Sequence, residues 1–331
     1  MTWMSSWTDD KEGMKEMITN KEKNFVSCLL YLHNDEDLIK DVLKQILNVM
    51  HENFDKYEIV CVNDCCTDGT IERIKEFLEE SDAARMISLI NLSYYQGLEA
   101  AMNAGRDLAV GDFLFEFDSC MLDFELNLIM QVYRRALEGY DVVAASPKKY
   151  IPLTSRLFYK VYNFGSRGQG KLRQDRFRIV SRRAVNRVNQ MNAYIPYRKA
   201  LYANCGLKMD TILYDNQKLS AKNLKKEEMG SRSTLAMDTL IIFTNVLERF
   251  SLLLSIVFFG ALVFVVGDVI YTIFSETKPV EGWLSLMGVL SFGFFMLFVM
   301  LTLIFKYLAV ILNMNFKRQR YVIQGVEKLT K

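Results

Sequence analysis

Apolar positions follow two regimes along the chain. From Phe25 to Ala145, short apolar runs alternate with stretches whose apolar residues recur every three or four positions. Phe25–Leu32, Tyr57–Val62, Arg85–Ile90, Phe113–Phe117 and Asp141–Ala145 read as strands. Leu38, Val42, Ile46 and Val49 share one face of a helix over Asp35–His51. Ile71, Ile74 and Leu78 share one face of another, with Thr67 or Asp68 as its cap. Gly97–Leu108, rich in small residues, and Glu125–Leu137 supply two more helices. Alternation of this kind predicts an α/β domain with a mostly parallel sheet. Such sheets bind ligands at the carboxyl ends of their strands, which places the loops Asn63–Asp68, Asn91–Gln96 and Asp118–Asp123 on the binding side.

Past Arg249 charge nearly disappears. Ser251–Gly267 carries none, Asp268 is the single charge before Glu276, and Gly282–Phe305 carries none. About 20 apolar residues in a helix span a bilayer's hydrocarbon core. The pattern predicts two transmembrane helices, Phe250–Ile273 and Trp283–Phe305, with two buried core helices as the alternative. Asp268 either reaches the headgroups or pairs within an oligomer or with a lipid head. The short connector Phe274–Gly282 makes the spans a hairpin. The chain then divides into a leader (1–23), an α/β domain (24–230), a juxtamembrane segment (231–249), the hairpin (250–305) and a tail (306–331). Arg232 and Arg249 precede the hairpin, and Lys306, Lys317, Arg318 and Arg320 follow it. By the positive-inside rule the domain and both termini face the cytoplasm, on a cell (inner) membrane. Residues 1–23 lack the apolar run of a signal peptide.

The 331 residues hold 41 Lys+Arg against 39 Asp+Glu, a formal charge of +2, which argues against a dedicated nucleic-acid binder. With 24% charged and 12% aromatic residues, the chain is not a disordered one. Its six cysteines show no zinc-finger spacing, and Cys65 and Cys66 are adjacent. In a cytoplasmic domain they are expected as thiols.

Several segments carry a resemblance. EIVCVNDCCTDGT (Glu58–Thr70) and GLEAAMNAGRDLAVGD (Gly97–Asp112) resemble the family 2 glycosyltransferases, which have a GT-A fold. GWLSL (Gly282–Leu286), KYLAVILNMNFKRQRYVI (Lys306–Ile323), TSRLFYKVYN (Thr154–Asn163) and FRIVSRRAV (Phe177–Val185) narrow it to polyprenyl-phosphate glycosyltransferases, relatives of dolichyl-phosphate mannose synthase. The resemblance implies a nucleotide-sugar donor, a polyprenyl phosphate acceptor, inversion at the sugar, and a role in cell-envelope glycan synthesis. It implies donor contacts at Asn34, Glu36, Asp64 and Asn91, with Asp64 on the nucleobase. A carboxylate at a strand end can accept the ring N–H of uracil or guanine. Asp118 and Arg178 take the catalytic positions, and Arg178, Arg182 and Arg232 the acceptor phosphate. The acceptor is already an anion, so positive side chains that hold it near the anomeric carbon matter more than a general base. Arg182 and Arg183 read equally as a solvated or membrane-surface patch. Lys148, Lys149, Arg156 and Lys160, interleaved with Tyr150, Phe158 and Tyr159, suit either a membrane surface or ordinary packing. Related enzymes suggest association of copies through the spans.

The family's metal site departs most. An Asp-x-Asp pair normally holds Mg²⁺ or Mn²⁺ there, but FEFDSCMLD keeps Asp118 and puts Cys120 in the second place and Leu122 in that of a following Gln. Hard cations prefer oxygen, so metal binding is expected to be weakened or absent. Glu116, on the same strand face as Asp118, and Asp123 are candidate substitutes. YLHNDE (Tyr31–Glu36), Arg176 and Val310 also depart from the pattern. Two readings stay open: an active enzyme with a rearranged site, or a weakened homologue acting as a membrane scaffold that binds a lipid or a partner.

Overall fold

A computed structural model describes residues 21–80, 87–148, 153–165, 171–191, 197–215, 282–316 and 321–328, and scattered positions between 249 and 274. Most of the leader, Lys149, Tyr150, Arg232, Asp268, Lys317, Arg318, Arg320 and most of the first expected span lie outside the described residues.

All five strands read from the sequence form: β1 (Val26–Leu32), β2 (Tyr57–Asn63), β3 (Ile87–Leu92), β4 (Phe113–Phe117) and β5 (Val142–Pro147). Between them run α1 (Ile39–Asn53), α2 (Thr70–Glu80), α3 (Leu98–Leu108) and α4 (Asn127–Leu137). Then come α5 (Leu153–Gly165), β6 (Phe177–Ser181), α6 (Arg182–Gln190), α7 (Arg198–Asn204) and β7 (Met209–Tyr214). Further on are α8 (Trp283–Phe316) and β8 (Ile323–Lys328). The strands make one sheet in the order β7-β5-β6-β4-β1-β2-β3-β8. Its centre, β4-β1-β2-β3, is parallel, while β6 and β8 join antiparallel. The fold is therefore α/β with a mixed sheet.

Alternation along the strands divides the core in two. Val26, Cys28, Leu30 and Leu32 face a core shared with α1, α2 and α4. Leu29 and Tyr31 face a second core shared with α3, α6 and α7. Strands buried on both faces read as continuous apolar runs, which is why β1 and β2 stand out in the sequence. Burying one Leu or Ile contributes about 1.5–3 kcal/mol. The small residues of α3 bring it close to the sheet: a Cβ at Gly105 would lie 2.9 Å from Val62 Cγ2. Ser181 caps α6 by accepting a hydrogen bond from the Ala184 amide at 3.1 Å.

Among the described residues no helix qualifies as a membrane span. The 34-residue helix α8 holds Lys306 as its one charged residue. Part of its side-chain environment, and most of 250–273, lie outside the described residues. Its exposed side chains include Leu290, Phe294, Phe295, Phe298, Ile304 and Phe305. The expected two-span hairpin is not shown among the described residues.

Candidate active site

The carboxyl ends of β1, β2 and β3 bring together the loops expected to face the donor. Backbone twist is concentrated there: Asn34 and Cys65 both adopt φ of 56°, and Gly97 adopts 85°. Asn34 Oδ1 accepts from the Thr67 amide at 2.7 Å, and Glu36 Oε2 accepts from the Gly69 amide at 3.0 Å. Asp68 Oδ1 accepts from the Thr70 amide at 3.1 Å, as a capping residue does. Asn63 donates to Asn91 Oδ1 at 2.8 Å, joining the ends of β2 and β3.

Asp64 is fully buried. Its Oδ1 accepts from the Gln96 amide at 2.7 Å, and its Oδ2 from the Gly97 amide at 2.8 Å and the Tyr31 hydroxyl at 3.0 Å. In this structure the carboxylate fastens the entrance of α3 instead of facing an open pocket. Above it, His33 Nδ1 lies 2.9 Å from the Asp64 carbonyl, to which its Nδ1–H tautomer donates, and its ring lies 4.6 Å from that of Tyr95. Tyr94 and Tyr95 are exposed.

At the end of β4 the chain assembles a buried ionic cluster. The β4–β6 register sets Glu116 directly opposite Arg178. Arg178 donates to Asp175 at 2.9 Å, Glu116 at 2.8 Å and Asp118 at 2.7 Å. Arg198, at the start of α7, donates to Glu99 at 2.9 Å, Glu116 at 2.7 Å and Asp118 at 2.9 Å. Lys199 lies 3.3 Å from Asp118 and 2.6 Å from Asp175. The Tyr202 hydroxyl donates to Glu116 at 2.6 Å. Glu99, Glu116, Asp118 and Asp175 thus meet Arg178, Arg198 and Lys199. Burial pushes the Asp118 carboxyl up, but Arg178, Lys199 and Arg198 outweigh it and hold it well below the usual carboxylate range.

The sequence-derived residues separate on this geometry. Asp118 and Arg178 are brought together, as expected of a common site, but every guanidinium arm of Arg178 already engages a carboxylate. Arg182 does not join them. β6 runs antiparallel to β4, so Arg182 emerges beside Asp112 at the opposite end, about 17–20 Å along the strand from Asp118. Its guanidinium donates to the carbonyls of Ala109 and Gly111. Arg183, beyond it, pairs with Asp141. Both arginines therefore bond at the far end of the sheet, and the structure does not bring Arg182 together with Asp118 and Arg178. Arg232 lies outside the described residues. Arg198, Lys199 and Glu99 were missed by sequence reasoning. A carboxylate and two cations so far apart in sequence have no local spacing to betray them. The sole hint was Glu99 among the small residues of a helix that packs on the sheet.

The residues present do not fit a divalent ion. Both Asp118 oxygens already face cations. Cys120 is buried at 1% exposure and its Sγ lies 3.7 Å from the Tyr31 carbonyl. Burial pushes its thiol well up, with Asp35 adding to the effect, so it is protonated and a poor ligand. Glu116 is committed to Arg178, Arg198 and Tyr202. Asp123 accepts from the Tyr214 hydroxyl at 2.8 Å and pairs with Arg176 at 3.4 Å. Among the described residues no group of three or more His, Cys, Asp or Glu side chains is arranged to hold a metal.

The profile of Glycosyl transferase family 2 matches residues 27–202, more than half of the chain. The chain belongs to glycosyltransferase family 2. An uncharacterized glycosyltransferase of Synechocystis is 28% identical over 198 residues, 58% of this chain and 61% of that protein. The chain thus aligns with less than two thirds of that relative. The undecaprenyl-phosphate 4-deoxy-4-formamido-L-arabinose transferase of Proteus mirabilis is 22% identical over 335 aligned positions, covering 95% of this chain and 98% of that one. Among solved structures, glucosyl-3-phosphoglycerate synthase of Mycobacterium tuberculosis, crystallised with Mn²⁺, uridine diphosphate and phosphoglyceric acid, superimposes with a TM-score of 0.51. It is 15% identical, with 69% of this chain and 81% of that chain covered, and so shares the GT-A fold. The family 2 glycosyltransferase described here keeps that scaffold while filling its Asp-x-Asp position with an internal ion network.

Proposed function

We propose that this glycosyltransferase moves a sugar from a nucleotide sugar to a polyprenyl phosphate on the cytoplasmic face of a membrane. An oxygen of the lipid phosphate attacks the anomeric carbon as the bond to the nucleoside diphosphate breaks, which inverts that carbon. The products are a polyprenyl-phospho-sugar and the nucleoside diphosphate. The observation that carries the reading is the match along nearly the whole chain to an undecaprenyl-phosphate sugar transferase, including the apolar C-terminal region. Two features of the chain support it. The long apolar helix α8 suits a bilayer span, with residues 250–273 supplying the other. On α5, Arg156, Leu157, Lys160 and Phe164 are exposed along one side, while Tyr162 packs inward, a face suited to anionic headgroups and acyl chains. At the donor end, Tyr94 and Tyr95 offer ring faces on which a nucleobase can stack.

The test is incubation of the purified full chain with undecaprenyl phosphate and a panel of uridine- and guanosine-diphosphate sugars. A lipid-phospho-sugar product is expected. No product with any donor would reject the reading. The neutralised Asp118 and the buried Cys120 favour a second reading, a weakened homologue that binds lipid or a partner glycosyltransferase as a membrane scaffold. It predicts lipid binding without turnover.

A further inference from the structure

We infer that the strand following the long apolar helix is a working part of the nucleotide end of the domain, with Gln96 as its positioning residue. This rests on the proposed nucleotide-sugar reading only for its ligand. β8 extends the sheet antiparallel to β3, pairing Ile90 with Val326 and Leu92 with Ile323, with an irregularity between Asn91 and Leu92. At that irregularity the tail turns its polar atoms onto the loop between β3 and α3. The Val322 amide donates to Gln96 Oε1 at 2.8 Å, and Gln96 Nε2 donates to the Val322 carbonyl at 2.7 Å. The Ser93 amide reaches the same carbonyl at 3.2 Å. Asn91 donates to Glu327 at 3.0 Å, and the Tyr321 hydroxyl donates to Asp107 of α3 at 3.0 Å.

Gln96 is therefore held from two sides. Its side chain closes a two-bond ring with Val322 of the tail. Its backbone amide, and that of Gly97, hold the Asp64 carboxylate at the end of β2. A peptide-like amide pair fixes both position and orientation, because donor and acceptor must be satisfied together. Between the tail and Asp64 lies the loop that carries Tyr94 and Tyr95. The segment leaving α8 thus sets the conformation of the loop that faces the base, and anchors the apolar helix to the donor end through a few specific bonds.

Gln96→Ala in the full chain tests this without touching the β8 backbone. Hydrogen exchange read at the amides of Gln96 and Gly97 is expected to speed up about tenfold or more, since two hydrogen bonds that order the loop are lost. Exchange in β1 is expected to stay as it is. Affinity for uridine or guanosine diphosphate, whichever the wild type binds, should fall by a similar factor. Gln96→Glu keeps the acceptor for the Val322 amide but turns an oxygen toward the Val322 carbonyl, so an intermediate effect is expected. Unchanged exchange at Gln96 and Gly97 in the alanine variant would overturn the inference. So would faster exchange with unchanged nucleotide affinity, because the tail would then be fastened without serving the site. If the wild type binds no nucleotide at all, the proposed function fails and the nucleotide role of the tail fails with it, while the exchange result still shows whether the clamp orders the loop.

Discussion

Arg198→Met removes one of the two arginines that each engage three carboxylates in the buried cluster, while keeping most of its volume. The Arg198 side chain is fully buried and donates three charge-assisted bonds, to Glu99, Glu116 and Asp118. Taken singly, bonds to charged groups contribute about 1.5–3 kcal/mol each, but they do not add here. Glu116 keeps Arg178 and Tyr202, Asp118 keeps Arg178 and Lys199, and Glu99 keeps the Arg198 backbone amide at 2.9 Å. The expected cost is that of breaking one buried ion pair, about 3–5 kcal/mol. Pulse proteolysis of the full chain across a urea series measures it. The cost should shrink when Glu99→Gln is already present, with a coupling of about 0.5–3 kcal/mol. A cost below about 1 kcal/mol with no coupling would refute the reasoning, because a fully buried cluster cannot lose a member so cheaply.

Asp118 gives the cluster a pH signature. Its folded-state pKa is depressed, so its contribution is complete above the unfolded value of about 3.9 and is lost as pH falls below it. Acid unfolding curves should show this loss below about pH 4, and Arg198→Met should move it to higher pH; an unmoved acid limb would contradict the pairing. Cys120→Asp places a carboxylate in a buried position beside Asp35, so a loss of about 1–3 kcal/mol and no gain in Mn²⁺ affinity are expected. Unchanged melting together with tight Mn²⁺ binding, read by electron paramagnetic resonance, would show that the position faces a metal site. Tyr95→Ala should weaken nucleoside diphosphate binding by about 1–3 kcal/mol, with Tyr95→Phe near wild type and pyrophosphate unaffected. Equal binding by the alanine variant would remove the base-stacking assignment.

The sequence made the centre of the sheet legible because β1, β2 and β4 are largely buried on both faces and appear as mostly apolar runs, broken only by Ser27, Glu58 and Glu116 before their ends. β8 gave no such sign. IQGVEK alternates weakly, ends in charge and is mostly exposed, and its pairing with β3 joins positions more than 200 apart in the chain. The face shared by Glu116 and Asp118 was legible from the strand period of two. What those carboxylates meet was not, since Arg198 and Lys199 arrive from α7 through tertiary packing alone. The same limit explains Arg182. As part of FRIVSRR it looks adjacent to Arg178, yet an extended strand carries it to the other end of the sheet.

We propose that this family 2 glycosyltransferase acts on a polyprenyl phosphate while the carboxylates at the end of β4 are engaged by the chain's own cations. The direct measurement is mass spectrometry of the lipid fraction after the full chain meets undecaprenyl phosphate and the sugar-nucleotide panel, in parallel with EDTA and with Mn²⁺. A lipid-phospho-sugar of comparable yield is expected in both. Product that appears with Mn²⁺ and vanishes with EDTA would contradict the closed cluster, and no product in either would contradict the activity itself.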